Sequence, residues 1–453
     1  MRLLLTVVAA SCYYALLGAP AVRSVRPASA DTASVQSAID EVWKRGGGTV
    51  RLESGDYRIG SVRLRSGVRV DLAENVRIFA SRMPDDYGNV FAEDPLEPVA
   101  PSVLATRICG RNLTVRRMRG AFCGYGVTNA WITGAAGSVI DGGNCYDPFG
   151  EEGYRGPHGV FLVSATNCQI SGVTIRNAAN YAVYALDSAD LTVRNLRITA
   201  GHDGVHVEGC DHVRIADCDF RTGDDSIAGF ASQDVLVTNC ILNSACSPIR
   251  LSGRDVLVTD CVADGPACYP HRWTLTDEEK RRGEDLPKNS GRRTVGCFFQ
   301  GYSEDKVRRD FCPGNIVLRN IRGREAGRFL LVLAGLGGIW QDGPAISDVT
   351  FENVTFGGLD LPGVVIAKAG APMSLHFRNC RFAFKRPQSC LLFGRNVFVT
   401  CENVKAENVT GTLFQERQDL TYDDIPEFPS WRLESDEVRE KWGLPPLAHK
   451  KDL

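Results

Sequence analysis

The feature that most limits what this chain can become is a repeat of 21–23 residues running through its middle. Apolar strand cores recur at Cys168-Gln169-Ile170, Leu191-Thr192-Val193, Val213-Arg214-Ile215, Val235-Leu236-Val237 and Val256-Leu257-Val258, and their last residues lie 23, 22, 22 and 21 positions apart. Each core alternates apolar and polar side chains, as a half-buried strand must. Asp217-Cys218, Asn239-Cys240 and Asp260-Cys261 follow at one offset, and similar rungs return at 315–318, 348–351 and 375–377. Leucine-rich repeats share the period but need regular leucines, whereas these rungs use Val, Ile, Cys and Asn. An antiparallel sandwich needs hairpin turns about every ten residues. A parallel β-helix fits, because each coil then stacks about 4.8 Å above the last and equivalent positions form columns.

The expected fold is therefore all-β: one right-handed parallel β-helix domain over residues 31–410. A stack of strands has an open end to cover. The segment 32–45 suits that task, with Val35, Ala38, Ile39, Val42 and Trp43 on one helical face and Asp31 or Thr32 as its cap. The charged stretch 272–312 reads as a long loop, and 411–453 as a tail that wraps the barrel rather than extending it. Leu3 to Leu17 form an apolar run of export-signal length, with small residues for cleavage near Ala21 or Ala30. It is shorter than the roughly 20 residues that span a bilayer, so a secreted or periplasmic protein without membrane insertion is expected.

Charge excludes one class of partner. The 52 basic and 54 acidic side chains nearly cancel, which gives no electrostatic footprint for nucleic acid. Of the 16 cysteines, Cys168, Cys218, Cys240, Cys261 and Cys380 sit inside strand patterns, where a thiol behaves as a small hydrophobe. Cys297 and Cys312 are the pair best placed for a disulfide. No zinc-type spacing of cysteine and histidine occurs, so no metal and no cofactor are expected.

The register gathers acids. Ten residues past successive cores stand Asp203, Asp225 and Ser247; nine past stand His202, Asp224 and Cys246; thirteen past stand His206, Ala228, Arg250 and His271. Like charges one strand spacing apart repel, so folding gains nothing from concentrating them. Crowding raises at least one carboxyl pKa and leaves a protonated group beside an ionised one, the division of labour that glycoside hydrolysis requires. Gly-Asp-Asp taken alone is as well read as a solvated turn; three aspartates in register are not. Tyr181, Tyr184, Tyr269 and Trp273 are candidate sugar platforms, with core packing as the equal alternative.

At this point the residues resemble glycoside hydrolase family 28, the polygalacturonase-like family of pectin lyase-like β-helices. His202-Asp203-Gly204 and Gly223-Asp224-Asp225 are similar to its Asn-Thr-Asp-Gly turn and its Asp-Asp pair one rung later, and Ile140-Asp141-Gly142-Gly143 to its Ile-Asp-Gly-x-Gly turn. The resemblance covers roughly residues 31–355. It implies an inverting hydrolase of an acidic plant-type polysaccharide, acting as a monomer, with Asp224 as general acid and Asp203 and Asp225 holding the water. His202, His206, Cys246, Arg250, His271 and Tyr181 are the expected substrate contacts. The chain departs from the family at Ala245-Cys246-Ser247, where Gly-His-Gly would fall, and it has no recognisable Arg-Ile-Lys. A rhamnogalacturonan-type substrate is then as plausible as polygalacturonate. A polysaccharide lyase, a uronan epimerase and a non-catalytic carbohydrate-binding β-helix are the rival readings.

Overall fold

The computed structural model describes residues 21–27, 31–90, 118–272, 275–283, 295–303, 311–334, 343–418 and 420. The candidate signal run, Trp273 and residues 421–453 lie outside them. The strands form a 23-stranded and a 12-stranded sheet, and every pairing between the strands is parallel. One coil reads Val205–Glu208, Asp211–Ala216, Asp219–Thr222, after which the chain returns to the first face at Ile227.

The repeat predicts the register residue for residue. Ile170, Val193, Ile215, Val237 and Val258 stack directly, and the column continues through Leu318, Phe351 and Phe377. All eight are buried, each contributing about 1.5–3 kcal/mol for a fully buried aliphatic or aromatic side chain. Farther along, rings stack on rings, as in Phe351 with Phe377 (5.2 Å) and Phe377 with Phe414 (5.3 Å).

The Asp/Asn-Cys pairs mark the corners. Asp217, Asn239, Asp260, Asn320, Asn353, Asn379 and Asn403 all take left-handed backbone with φ of 51–57°, which Asn and Asp tolerate best among non-glycine residues. From Asn320 to Asn403 each side-chain amide donates to the previous rung's carboxylate or amide oxygen, at 2.9–3.2 Å. The next residue turns inward, so Cys218, Cys240 and Cys261 are buried, as are Cys168 and Cys380. Cys297 and Cys312 do not form the expected bridge: Cys297 is buried, with its thiol donating to the Phe299 carbonyl at 3.0 Å, while Cys312 is exposed.

The cap is the helix Thr32–Lys44. Asp31 caps it by accepting from the Ser34 amide, and Val35, Ala38, Ile39 and Val42 are buried against the first coil. Trp43 is half-buried under Arg65. Ahead of the helix, Ala21–Val25 pairs with Gly48–Leu52; cleavage near Ala30 would delete that strand, and cleavage near Ala21 keeps most of it.

Two expectations need correction. The stretch 272–312 is not all loop. It holds a helix, Asp277–Arg282, boxed at its start by Thr276 and Glu279, and a strand, Val295–Gln300, that pairs with Ile249 and Arg250 on one side and Ala326–Leu333 on the other. The apolar run Val295-Gly296-Cys297-Phe298-Phe299 supplies the buried edge that a polar loop could not. Nor does the tail begin at Gly411, because Phe414–Glu416 adds a further strand onto Leu391–Phe393.

Candidate active site

The acids stand in the turns that carry the chain from the 12-stranded sheet back to the larger one. One turn lies between Arg197–Ala200 and Val205–Glu208; the next lies between Asp219–Thr222 and Ile227. These turns stack closely. A side chain at Gly223 would put its Cβ 2.4 Å from the Gly201 carbonyl oxygen, and Gly201 itself sits at φ +69° against Ala178. Glycine before the Asp-Asp pair is thus a packing requirement. Backbone bonds Ala182 N–H to Asp203 O, Gly204 N–H to Asp225 O and Ser226 N–H to Ser247 O hold the expected column in register.

All three carboxylates are buried, at 4% exposure for Asp203, 3% for Asp224 and 0% for Asp225. Burial of a charge requires partners, and each acid has its own. Asp203 Oδ2 lies 2.9 Å from His206 Nδ1, and the other ring nitrogen of His206 lies 3.0 Å from Glu208. Asp225 accepts from the Ser247 amide at 3.0 Å and from Arg250 at 3.1 Å. Asp224 accepts from Arg155 at 2.7 Å, with His271 Nε2 3.2 Å from its other oxygen and His202 Nδ1 at 4.0 Å. Arg155 also grips Glu152.

These surroundings move protons unequally. Burial pushes Asp225 up to about 7 against the pull of Arg250, and the charges of Asp224 and Asp203 add to the rise. Asp203 is likewise raised, by burial and then by Asp224. Burial would raise Asp224 too, but His271 and Arg155 outweigh it and hold its carboxyl well below the usual range. His206 loses basicity by burial, yet its bonds to Asp203 and Glu208 more than restore it, to about 9. His202 is driven well below its ordinary value by burial and by Arg155, so its ring is neutral. His271 and Arg155 together therefore favour the ionised form of Asp224. Of the two, His271 acts more strongly, and Arg155 is the one the register could not supply.

Other expected contacts fall into place unevenly. His206, Ala228 and Arg250 share one outward column, but its next member is Gln300, not His271. The strand Val295–Gln300 fills that place, and His271 reaches Asp224 from the segment that leaves the coil after Asp264. Cys246 is wholly buried beside Asp225, and burial with that charge keeps its thiol protonated. Tyr181 stacks on the His206 ring at 4.3 Å, with Tyr184 edge-on at 5.4 Å. Tyr269 is half-buried.

Sequence reasoning missed Arg155, Glu208, Gln300 and Tyr302, and it singled out the stretch His271-Arg272-Trp273 only as the place where Arg-Ile-Lys would fall. Glu208 was findable, since it lies two residues past His206 on the same strand face. Tyr302 packs its ring under Arg250 at 4.4 Å. Arg272 is buried beside Arg155 and Tyr154, its pKa lowered to about 10 by burial, with no hydrogen-bond partner for Nε or Nη2 among the described residues. Asp224, Asp225 and Cys246 bring ligand-type atoms within 4.8 Å of one another. One oxygen of each carboxylate is already held by an arginine, a cationic setting poorly suited to a metal ion.

Comparison with known proteins agrees with the fold. Residues 158–267 match the family described as "Right handed beta helix region". A probable polygalacturonase of Vitis vinifera is 26% identical over 209 residues, 44% of this chain and 40% of the relative, so the match spans well under half of that protein. The exopolygalacturonase of Thermotoga maritima superposes with a TM-score of 0.61 at 16% identity, covering 86% of this chain and 93% of the other. PfbA, a surface adhesin of Streptococcus pneumoniae, superposes at 0.56 and 13% identity, covering 87% and 93%. No helix among the described residues is long and apolar enough to cross a membrane. In sequence the chain is similar to polygalacturonases, and its fold is the right-handed parallel β-helix of the pectin lyase-like kind.

Proposed function

We propose that the chain is an exported glycoside hydrolase that cuts a pectic, uronic-acid-containing polysaccharide with inversion of configuration. The observation that carries this reading is the meeting of Asp203, Asp224 and Asp225 from two stacked turns; next to Arg155, which holds Asp224, stands a second buried guanidinium, Arg272, whose Nε and Nη2 have no hydrogen-bond partner among the described residues. A uronate carboxylate supplies the missing acceptors. It also competes with Asp224 for Arg155. Once that ion pair loosens, one of the two main groups that oppose burial is gone, and Asp224 takes up a proton on the oxygen 3.2 Å from His271.

The protonated Asp224 then gives its proton to the glycosidic oxygen as that bond breaks. A water held by an ionised carboxylate loses a proton to it and attacks the anomeric carbon, leaving one new reducing end. Asp224 and Asp225 lie closer than the roughly 6.5–9.5 Å that seats a water between acid and base. Asp203, on the preceding rung, is therefore the principal base, and Asp225 assists it.

Near-complete burial of the acids equally suits a non-catalytic β-helix with a structural polar cluster. One screen separates the two: pectic oligosaccharides and polymers assayed for reducing-end release. Release, with the opposite anomer appearing first by NMR, supports the hydrolase. No release from any substrate, with binding intact, overturns it. An unsaturated-uronate absorbance assigns the site to a lyase instead, and altered sugar stereochemistry without new ends to an epimerase.

A further inference from the structure

A second polar site lies along the same corner of the coil, ahead of the acids. The outward column of the 12-stranded sheet begins Arg58, Phe79, Asp141, Arg176, each directly opposite the next. The first three, with Arg82, Asp86 and Asn177, line a cavity of about 520 Å³, within the roughly 300–1,000 Å³ of small-ligand sites. Of the coil residues around it, Asn177 is on the last rung. Its neighbour Arg176 pairs with Thr199, in the strand that leads into the turn of Asp203.

The groups around this cavity are unevenly matched. Asp141 is neutralised, with Oδ2 2.8 Å from Arg176 and Oδ1 accepting from Gly143 and Asn177. Asp86 accepts from the Ser81 hydroxyl. Arg58 has no carboxylate partner among the described residues; its guanidinium is held 5.2 Å above the Phe79 ring, which orders it without neutralising it. Among the same residues Arg82 meets only the backbone carbonyls of Arg281 and Arg282. Asn177 is 7% exposed and donates from Nδ2 to Asp141 at 3.2 Å, which fixes the orientation of its amide. Its Oδ1 is buried and accepts nothing from the described residues.

We infer that this cavity binds an acidic, hydroxylated sugar, a uronosyl unit whose carboxylate meets Arg58 and Arg82 and whose hydroxyl donates to Asn177 Oδ1. An inorganic anion would answer the two guanidinium groups and leave Asn177 without a donor. A neutral sugar would do the reverse, and a cation would oppose both arginines. Among hydroxylated acids, the choice of a uronosyl sugar rests on the proposed function. The site itself stands apart from Asp203, Asp224 and Asp225 and needs no bond to be cut.

Saturation-transfer NMR of the full chain titrated with digalacturonate tests this, with galactobiose and inorganic phosphate as competitors. Arg58→Ala, at an exposed position, should weaken digalacturonate binding at least about 10-fold, the loss of a hydrogen bond to a charged group. Asn177→Gly keeps the left-handed backbone at φ 53° and should weaken it several-fold, about the worth of one hydrogen bond. Both competitors should bind at least about 10-fold more weakly than digalacturonate, by the same measure. The inference is overturned by native-level binding in both variants, by a competitor that binds as well as digalacturonate, or by no saturable binding to the native chain. Cleavage is read in the same spectra as new anomeric signals. Binding as expected without such signals keeps this inference and counts only against the hydrolase reading.

Discussion

Replacing Arg155 with glutamine removes the guanidinium that holds Asp224 at 2.7 Å and Glu152 at 2.8 Å, both from a position only 6% exposed. Breaking a buried pair by deleting one partner costs about 3–5 kcal/mol, because the remaining charge is left uncompensated. The structure adds a pH dependence. In the native protein Asp224 has a depressed pKa, so its ion pairing stabilises the fold above the unfolded-state value near 3.8 and is lost as pH falls through the folded value. Without Arg155 only the histidines still oppose burial, so the Asp224 pKa rises from its depressed value, and the variant recovers part of its penalty by binding a proton as pH falls. The deficit of Arg155→Gln should therefore be largest near pH 7 and shrink toward pH 4. Equilibrium urea unfolding at both pH values, with equal m-values, measures it. An equal deficit at both pH values, or none at pH 7, refutes the reasoning that Arg155 keeps Asp224 ionised.

Other outcomes follow from the same geometry. His206 has its pKa raised to about 9 by Asp203 and Glu208, so its contribution is complete below the unfolded value of about 6.5 and disappears as pH rises through 9. The rise is worth on the order of 3 kcal/mol, and thermal melts of the native chain between pH 6 and 10 should fall where those of His206→Gln stay flatter. Gly223→Ala puts a methyl 2.4 Å from the Gly201 carbonyl; denaturant melts should show a loss of about 1–3 kcal/mol, and turnover should fall with it. EDTA treatment should leave hydrolysis unchanged, as arginines already hold the Oδ2 atoms of Asp224 and Asp225, whereas a Ca²⁺-dependent lyase would stop.

The fold was legible because a β-helix writes its geometry into spacing. Once Ile170, Val193, Ile215, Val237 and Val258 are aligned, their stacking and that of Asp203 on Asp225 need only counting. Corners were legible for the same reason, through Asp217, Asn239 and Asp260. Counting fails where chain leaves the coil. His271 sits at the right interval but arrives from outside the strand ladder, and Gln300 occupies the rung position instead. Arg155 comes from an excursion between coils, so no offset announces that it faces Asp224 across 69 residues. Which carboxyl is held ionised was accordingly not legible, because part of the pull on Asp224 comes from that arginine.

The most direct test concerns the acids themselves. Asp203→Asn, Asp224→Asn and Asp225→Asn, each shown by far-UV circular dichroism to keep the native fold, should be compared with the parent chain for reducing-end release from whichever pectic substrate it cleaves best. The account predicts that each loses about 100-fold or more in turnover, and that the triple variant is little worse than the poorest single one, because the three act as a unit. Parent-level turnover in a folded Asp224→Asn variant would contradict it.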